Sequence, residues 1–577
     1  MQKRIVLAFA AMLLTQTTEA DQFQYKERLV ATLLKQVPAM VQSCDPQTGR
    51  FGSGIWICQD QERMYPLAVA YGCAAAGNRY HKDKHLLDVI MKAGDALIAD
   101  MDASGQWEFR KKDGSTWGPI WMPWTYSRWV RTFALIRDDM PPERRDAWTK
   151  ALTLGYTGIA RSALGHVHNI PAHHAMGLYA AGKALDRPEW CRQAAEFLLK
   201  VAAHQTEGGY WSEGGGPVVL YDFVYLDAIG TYYAMSGDQR MLPCLEQGAR
   251  FHWQFTYPDG RSVETIDQRN PYHDTVSLGN VGFTFTPIGR VYLQRQWSHR
   301  GWENLDVDLI ASLLLYGEEG SLDEVGATQS KEPFVLTEGG TDRAAVARTG
   351  PWFVCLSAYT TPVVDSRWIQ DRQNFVSVYH DKTGLILGGG NTKLQPAWSN
   401  FTVGDPALLA HTSGDTNPVF RPPANLQHVP SAAVLSVKPE LGLDLTYAPE
   451  SCRVRVVPKD ERTLEYRVTA TTTAGLPVAA HVTLIPHLGK PLETAAGQKT
   501  TLGEQPISWT PQQLGDWVAH GGYRLRLPPS ASLYWPALPH NPYRKDGHST
   551  ASEGRIELRV TFDGQHQEHC VTIEVLP

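Results

Sequence analysis

Cysteine is scarce in this chain: eight residues in 577, at Cys44, Cys58, Cys73, Cys191, Cys244, Cys355, Cys452 and Cys570, with no CxxC pair among them. That scatter argues against a cysteine-based zinc site. The apolar settings of several, as in YGCAAAG and PWFVCLS, point to buried thiols and at most one or two disulfides. Positive charge is also short. The formal net charge of −6 at pH 7 argues against a duplex nucleic acid as partner and leaves room only for a locally basic cleft that takes a small anion. No apolar run after the first twenty residues approaches a membrane span, so no membrane association is expected. Biased tracts are missing too: 43% hydrophobic and 20% charged residues describe an ordinary globular chain.

The opening twenty residues, MQKRIVLAFAAMLLTQTTEA, place Lys3 and Arg4 before an apolar run from Ile5 to Leu14 and end on Ala20. This is the pattern of a cleavable secretory signal, too short for an anchor, and it predicts a periplasmic or secreted protein. The rest is too long for one core, so two domains are expected.

Up to about residue 320 the text is helical and repetitive. Segments 67–109, 173–213 and 225–264 align when their Ala-Gly helix ends are matched. Each reads as a small-residue helix, a turn at Gly77, Gly182 or Gly237, an amphipathic helix and a glycine loop. The loop glycines at 49, 105, 209 and 260 are separated by 56, 104 and 51 residues, so the middle gap holds two units of about 52. A helical hairpin of this size cannot bury its apolar face alone and must stack on its neighbours. Five or six such units close into an (α/α) toroid, here expected over 21–320. The skipped unit should have its glycine loop near residue 157, and there the text departs from the pattern and runs through RSALGHVHNIPAHH. A scaffold that breaks its own repeat at one place marks a functional surface.

Beyond about residue 345 the period changes. RVRVV (453–457), LEYRVTA (464–470), YRLRL (523–527) and RIELRVTF (555–562) alternate polar with apolar or branched residues, as half-buried antiparallel strands do. The fold expected is therefore α+β and multidomain: a toroid over 21–320, a linker over 321–345 and an antiparallel β-sandwich over 346–577.

LGHVHNIPAHH (164–174) holds four of the chain's twenty histidines. His166 and His168 alternate, Pro171 interrupts, and His173 and His174 are adjacent, so no pair has the i, i+4 spacing that zinc takes on a helix. Neither a metal nor an organic cofactor is expected. One unit further on, GGYWSEGGGPVVLYDFVYLDAIG (208–230) carries Trp211, Glu213, Tyr221, Asp222, Tyr225 and Asp227. Neighbouring loops of a toroid converge on one rim, which lets Asn169 or a histidine face Tyr221 across a cleft. Such groups suit β-elimination from a uronic acid. Asn, His or Arg donors neutralise the carboxylate and stabilise the enolate-like intermediate, while a tyrosine or histidine removes the neighbouring proton.

A helical toroid followed by an antiparallel β-domain resembles the polysaccharide lyases of the heparinase II/III, alginate-lyase and hyaluronate/chondroitin-lyase groups. The resemblance places an Asn beside a His at one toroid loop and a Tyr some fifty residues on, matched by Asn169 with His168 and by Tyr221. It further implies an arginine, which Arg269 in ETIDQRNPYH matches, and a β-domain histidine, for which His380 in NFVSVYHDKTG has the right setting. This chain has Glu213 where the hyaluronate-lyase pattern has histidine. The base is then Tyr221 alone, or Tyr221 aided by His173 or His174, with Tyr225 one helical turn on as the alternative.

Substrate-holding candidates are Trp121, Trp124 and Arg128 in WGPIWMPWTYSRWVR (117–131), with Trp211, Glu213, Tyr225 and His273. Indole faces stack on sugar rings and a guanidinium fork pairs with carboxylate or sulfate. SRWIQDRQNF (366–375) reads either as a cleft loop or as an interdomain seam. The partner expected is a polysaccharide or oligosaccharide. A glycoside hydrolase on the same toroid is the rival reading, needing two carboxylates from Glu213, Asp222, Asp227, Glu264 and Asp267. A non-catalytic glycan-binding protein is a more distant one.

Overall fold

Proline opens several of the helices at the position where its missing N–H costs nothing, at Pro123, Pro142, Pro188 and Pro287. The computed structural model describes residues 22–52, 60–110, 115–269, 272, 278–322, 332–411 and 414–577. The signal segment, Cys58 and His273 lie outside these. The helical half comprises α1 (Lys26–Gln42), α2 (Met64–Gly72), α3 (Lys84–Asp100), α4 (Pro123–Ile136), α5 (Pro142–Ser162) and α6 (Asn169–Ala184). It continues through α7 (Pro188–Ala203), α8 (Val219–Ser236), α9 (Leu242–Gln254), α10 (Pro287–Arg300) and α11 (Val307–Tyr316).

Two kinds of helix alternate. α1 buries one stripe, Leu29, Leu33, Val37 and Met40, at i, i+4 and i, i+3 spacing and faces outward with the rest. α2, by contrast, is buried from Met64 through Tyr71. The inner helices pack in a ring, α2 on α4, α4 on α6, α6 on α8, α8 on α11 and α11 back on α2. Strand β1 (Gln22–Phe23), antiparallel to β4 (Gly320–Ser321), ties the start of the ring to its end. This is the α/α toroid.

The glycine loops repeat in atomic detail. Gly49, Gly105, Gly209 and Gly260 all take positive φ, between 70° and 88°, which an L side chain rarely adopts. In each, the glycine N–H donates to the loop's first carbonyl: Asp45, Asp102, Thr206 and Tyr257. The indoles that follow two of these loops also match, Trp107 donating to the Leu97 carbonyl and Trp211 to that of Val201. One expected turn differs. Gly182 lies within α6, and the chain turns instead at Asp186, φ 56°, because Gly182 lets α7 approach so closely that a Cβ would sit 2.5 Å from Cys191 Sγ.

At the skipped unit α5 runs unbroken through residue 157 to Ser162, and the helix-to-helix loop holds residues 163–168. Gly155 and Gly158 give way there to the rings of Tyr126 and Trp121. Between α3 and α4 the chain forms a hairpin of β2 (Trp107–Arg110) and β3 (Thr116–Ile120).

The β-domain starts earlier than its text suggests. Residues 334–345, read above as linker, are mostly strand: β5 (Phe334–Glu338) pairs with β6 (Thr341–Thr349) about Gly339 and Gly340 at φ 55° and 73°. That is the primed turn whose twist suits a two-residue hairpin. This hairpin is the edge of one of two antiparallel sheets, which count ten and nine strands among the described residues. Val354, Val378, Leu558, Leu443, Val454 and Ile573, drawn from both, share one core. Among the described residues the seven cysteines are all free thiols, four of them buried, and none is in a disulfide. No described helix is long and apolar enough to cross a membrane.

Candidate active site

The toroid docks on the β-domain through the glycine loops after α7 and α9. Arg372 donates to the carbonyls of Ile266 (2.5 Å) and Gly215 (3.0 Å), and Gln370 N–H to that of Gln268. Glu338 accepts from the hydroxyls of Tyr210 and Tyr359, and Asn391 donates to the Asp267 carbonyl. SRWIQDRQNF thus serves both expected roles: Gln370 and Arg372 form the seam, while Ser366, Trp368 and Ile369 line a cavity.

That cavity, about 1560 Å³, lies between the domains. It exceeds the ~300–1,000 Å³ of a small-molecule pocket and has room for several sugar rings. Tyr221, Arg269, Glu213 and Trp117 line its toroid side, with Trp368, Tyr543, Arg544 and Lys545 on the other.

Asp267 builds the reactive corner. Its carboxylate accepts from Val219 N–H at the start of α8 (2.8 Å) and from Arg269 N–H (2.7 Å). One side chain therefore caps the helix that carries Tyr221 and aims the segment that carries Arg269. The Arg269 guanidinium lies over the Tyr221 ring, 5.1 Å from its centroid. Burial pushes the Tyr221 phenol up to about 12 against the downward pull of Arg269. Its hydroxyl makes no hydrogen bond among the described residues.

Beside it Glu213 gathers donors. Its side chain is 1% exposed, accepts from Tyr225 (2.7 Å) and Asn169 (3.2 Å), and lies 3.0 Å from His168 Nε2. The contact with Glu213 raises His168 above its ordinary pKa of 6.5, which favours its charged form next to Asn169 at the mouth of α6. Tyr225 is committed to this cluster. It is buried, stacked on Trp211 at 4.8 Å, and pushed far up by burial and by Glu213. The structure thus brings Asn169, Glu213, Tyr221, Tyr225 and Arg269 into one corner.

The other candidates lie elsewhere. His173 is buried within the toroid, bonded to Ser127 Oγ at 2.9 Å and stacked on Trp124; burial holds it well below its usual pKa, and brings the equally buried His174 to about 3. Neither faces the cavity. His380 packs edge-on against Trp352, and both ring nitrogens are engaged inside the β-domain, with the Glu461 carbonyl and the Lys382 N–H. Trp211 is core. Trp121 donates to the Ser104 carbonyl and covers Gly158, Trp124 stacks on His173, and neither lines the cavity. Arg128 pairs with Asp308 (3.0 Å) and Glu62 (3.3 Å) inside the ring and is not free for an anion. Besides Tyr221, the rings that line the cavity, Trp117, Trp368, Tyr543, Tyr272 and Phe109, come from segments far apart in sequence. Only the aromatic density of WGPIW and SRWIQ hinted at the first two. Among the described residues no cluster of three or more His, Cys, Asp or Glu is placed to hold a metal.

The helical toroid joined to antiparallel β-sheets is the fold of solved polysaccharide lyases. Among solved structures the chain is similar to the Streptomyces coelicolor A3 chondroitin AC lyase in complex with chondroitin sulphate. The TM-score is 0.52 at 13% identity, over 99% of this chain and 81% of that one. A mutant of the same lyase scores 0.50 at 14% identity over 96% and 79%, and a heparinase III scores 0.50 at 12% identity over 96% and 84%. At these identities the likeness is one of fold. No protein-family model and no curated protein matches the chain.

Proposed function

We propose that the protein is an exported polysaccharide lyase that cleaves a uronic-acid-containing polymer by β-elimination. The observation that carries this is the Arg269 guanidinium laid over Tyr221 at the interdomain cavity, beside the Glu213 cluster. The lyase fold of the solved relatives supports it, and the first twenty residues support export.

In this reading Arg269, the His168 imidazolium and the second amide proton of Asn169 receive the substrate carboxylate. Glu213 fixes His168 and Asn169 at the cost of one buried charge that three side chains offset. Neutralising the carboxylate acidifies the proton on the adjacent carbon. Tyr221 as phenolate takes that proton, its pair of electrons forms the carbon–carbon double bond, and the glycosidic carbon–oxygen bond breaks. The proton then returns from Tyr221 to the leaving oxygen.

Of the five carboxylates open to the hydrolytic rival, only Glu213 and Asp267 line the cavity, and Glu213 already accepts from Tyr225 and Asn169. Asp222 accepts from Trp211 N–H, Glu264 from Gly389 N–H, Asp267 from two main-chain donors, and Asp227 lies beside His173 inside the ring.

Incubating the purified chain with uronic-acid polysaccharides and following ultraviolet absorbance tests the reading. Absorbance from the unsaturated product is expected; new reducing ends without it would replace elimination by hydrolysis.

The pH profile is a second test. The working state needs a protonated His168 and an ionised Tyr221. Below the raised His168 pKa the phenolate fraction grows tenfold per pH unit while His168 stays charged, so the rate should climb. Above it, gain in phenolate and loss of imidazolium cancel and the rate should level. In His168→Gln that break should vanish, with the climb continuing toward the Tyr221 pKa of about 12. An unchanged break would assign it to another group.

A further inference from the structure

Two sets of contacts between the domains flank the cavity. On one side stands the polar seam, with Gln370 on Gln268 and Arg372 on Gly215 and Ile266. On the other a run of aromatic rings crosses from toroid to β-domain. Phe109 and Trp117 on the β2–β3 hairpin stack at 5.0 Å, Trp117 meets Trp368 edge-on at 6.1 Å, and Trp368 meets Tyr543 at 5.8 Å. These are favourable ring geometries.

Residues 366–370 therefore run as a strap from the aromatic bridge to the seam. Arg367 fastens the strap to the second β-domain loop by donating to the carbonyls of Arg544 (3.2 Å) and Lys545 (2.9 Å). Exposure gives the order of the layers. Trp117 is 61% and Tyr543 45% exposed, whereas Tyr221 and Arg269 are half-buried. The bridge lies outside, the reactive corner inside.

Resting on the elimination reading above, we propose that this closed circuit of contacts makes the enzyme act from a chain end. A polymer cannot settle sideways onto Tyr221, because the toroid floor, bridge, strap and seam surround the path; it passes beneath the strap end first. Trp117 and Trp368 are then the residues that set the mode of attack, without touching the reacting atoms.

The test compares viscosity with ultraviolet absorbance during digestion of chondroitin sulphate, heparan sulphate, hyaluronate and alginate by the full chain. Absorbance counts bonds broken, and viscosity reports mean chain length. The wild type should release short products from the start, with viscosity falling slowly per bond broken. In Trp117→Ala and Trp368→Ala, viscosity should fall several-fold faster per bond, with long products appearing early. Early long products from the wild type, or variants whose viscosity loss per bond is unchanged, would overturn the end-wise mode while leaving elimination intact. No absorbance on any of the polymers would overturn the elimination reading, and this inference with it.

Discussion

Tyr221→Phe should lower turnover about 100- to 10,000-fold, the range by which a positioned proton-transfer group speeds a reaction, while substrate affinity changes little. The phenylalanine ring keeps the face over which Arg269 sits, so the guanidinium remains to receive a carboxylate. What disappears is a hydroxyl that has no hydrogen-bond partner among the described residues. Tyr225 cannot readily replace it. Its hydroxyl already donates to Glu213 at 2.7 Å, and removing its proton would set a phenolate against a buried carboxylate. Steady-state kinetics with a binding measurement on the same variant would show kcat collapsing with Kd kept. Activity retained in Tyr221→Phe and lost in Tyr225→Phe would move the base one helical turn along α8.

Much of this corner was legible because its residues recur at the spacing of a repeat. Asn169 and Tyr221 lie 52 residues apart, one unit of the toroid, and inner helices of adjacent units must pack side by side. The glycine loops were legible for a related reason: a positive φ leaves few residues other than glycine, and it appears in the text as a period. His173 and His174 were misleading because a helix that starts at Asn169 turns its second turn into the ring, where burial strips both imidazoles of any useful charge. Glu213 read as a substrate contact, and its place as common partner of three side chains depends on where α6 and α8 begin. The aromatic bridge was not legible at all as a unit. Trp117, Trp368 and Tyr543 meet only when the toroid docks on the β-domain, and no local pattern encodes that distance.

The same limit hides the element with the largest expected effect on stability. Lys393, Asp371 and His428 are at most 1% exposed, and lie on three irregular stretches of the β-domain. The Lys393 ammonium donates to Asp371 Oδ1 at 2.6 Å and to the Val364 carbonyl at 2.7 Å, while His428 Nε2 meets Asp371 Oδ2 at 2.9 Å. A single main-chain bridge, Asp371 to Thr392, joins two of these stretches, and the buried charges add to it and bring in the third. Lys393→Met should destabilise the protein by about 3–5 kcal/mol, because it leaves the Asp371 carboxylate buried without its main counter-charge. Adding Asp371→Leu should recover part of the loss, since a buried pair replaced by apolar groups is often near neutral. Thermal melts of the two variants check this; a double variant no more stable than Lys393→Met would mean that packing rather than the stranded charge is what Lys393 provides. The triad also bears on the site. Val364 and Asp371 bracket the strap with Trp368, so Lys393→Met should raise KM more than it lowers kcat in whatever fraction stays folded. A loss confined to kcat would instead tie the triad to the Tyr221 corner across the seam, through Gln370 and Gln268.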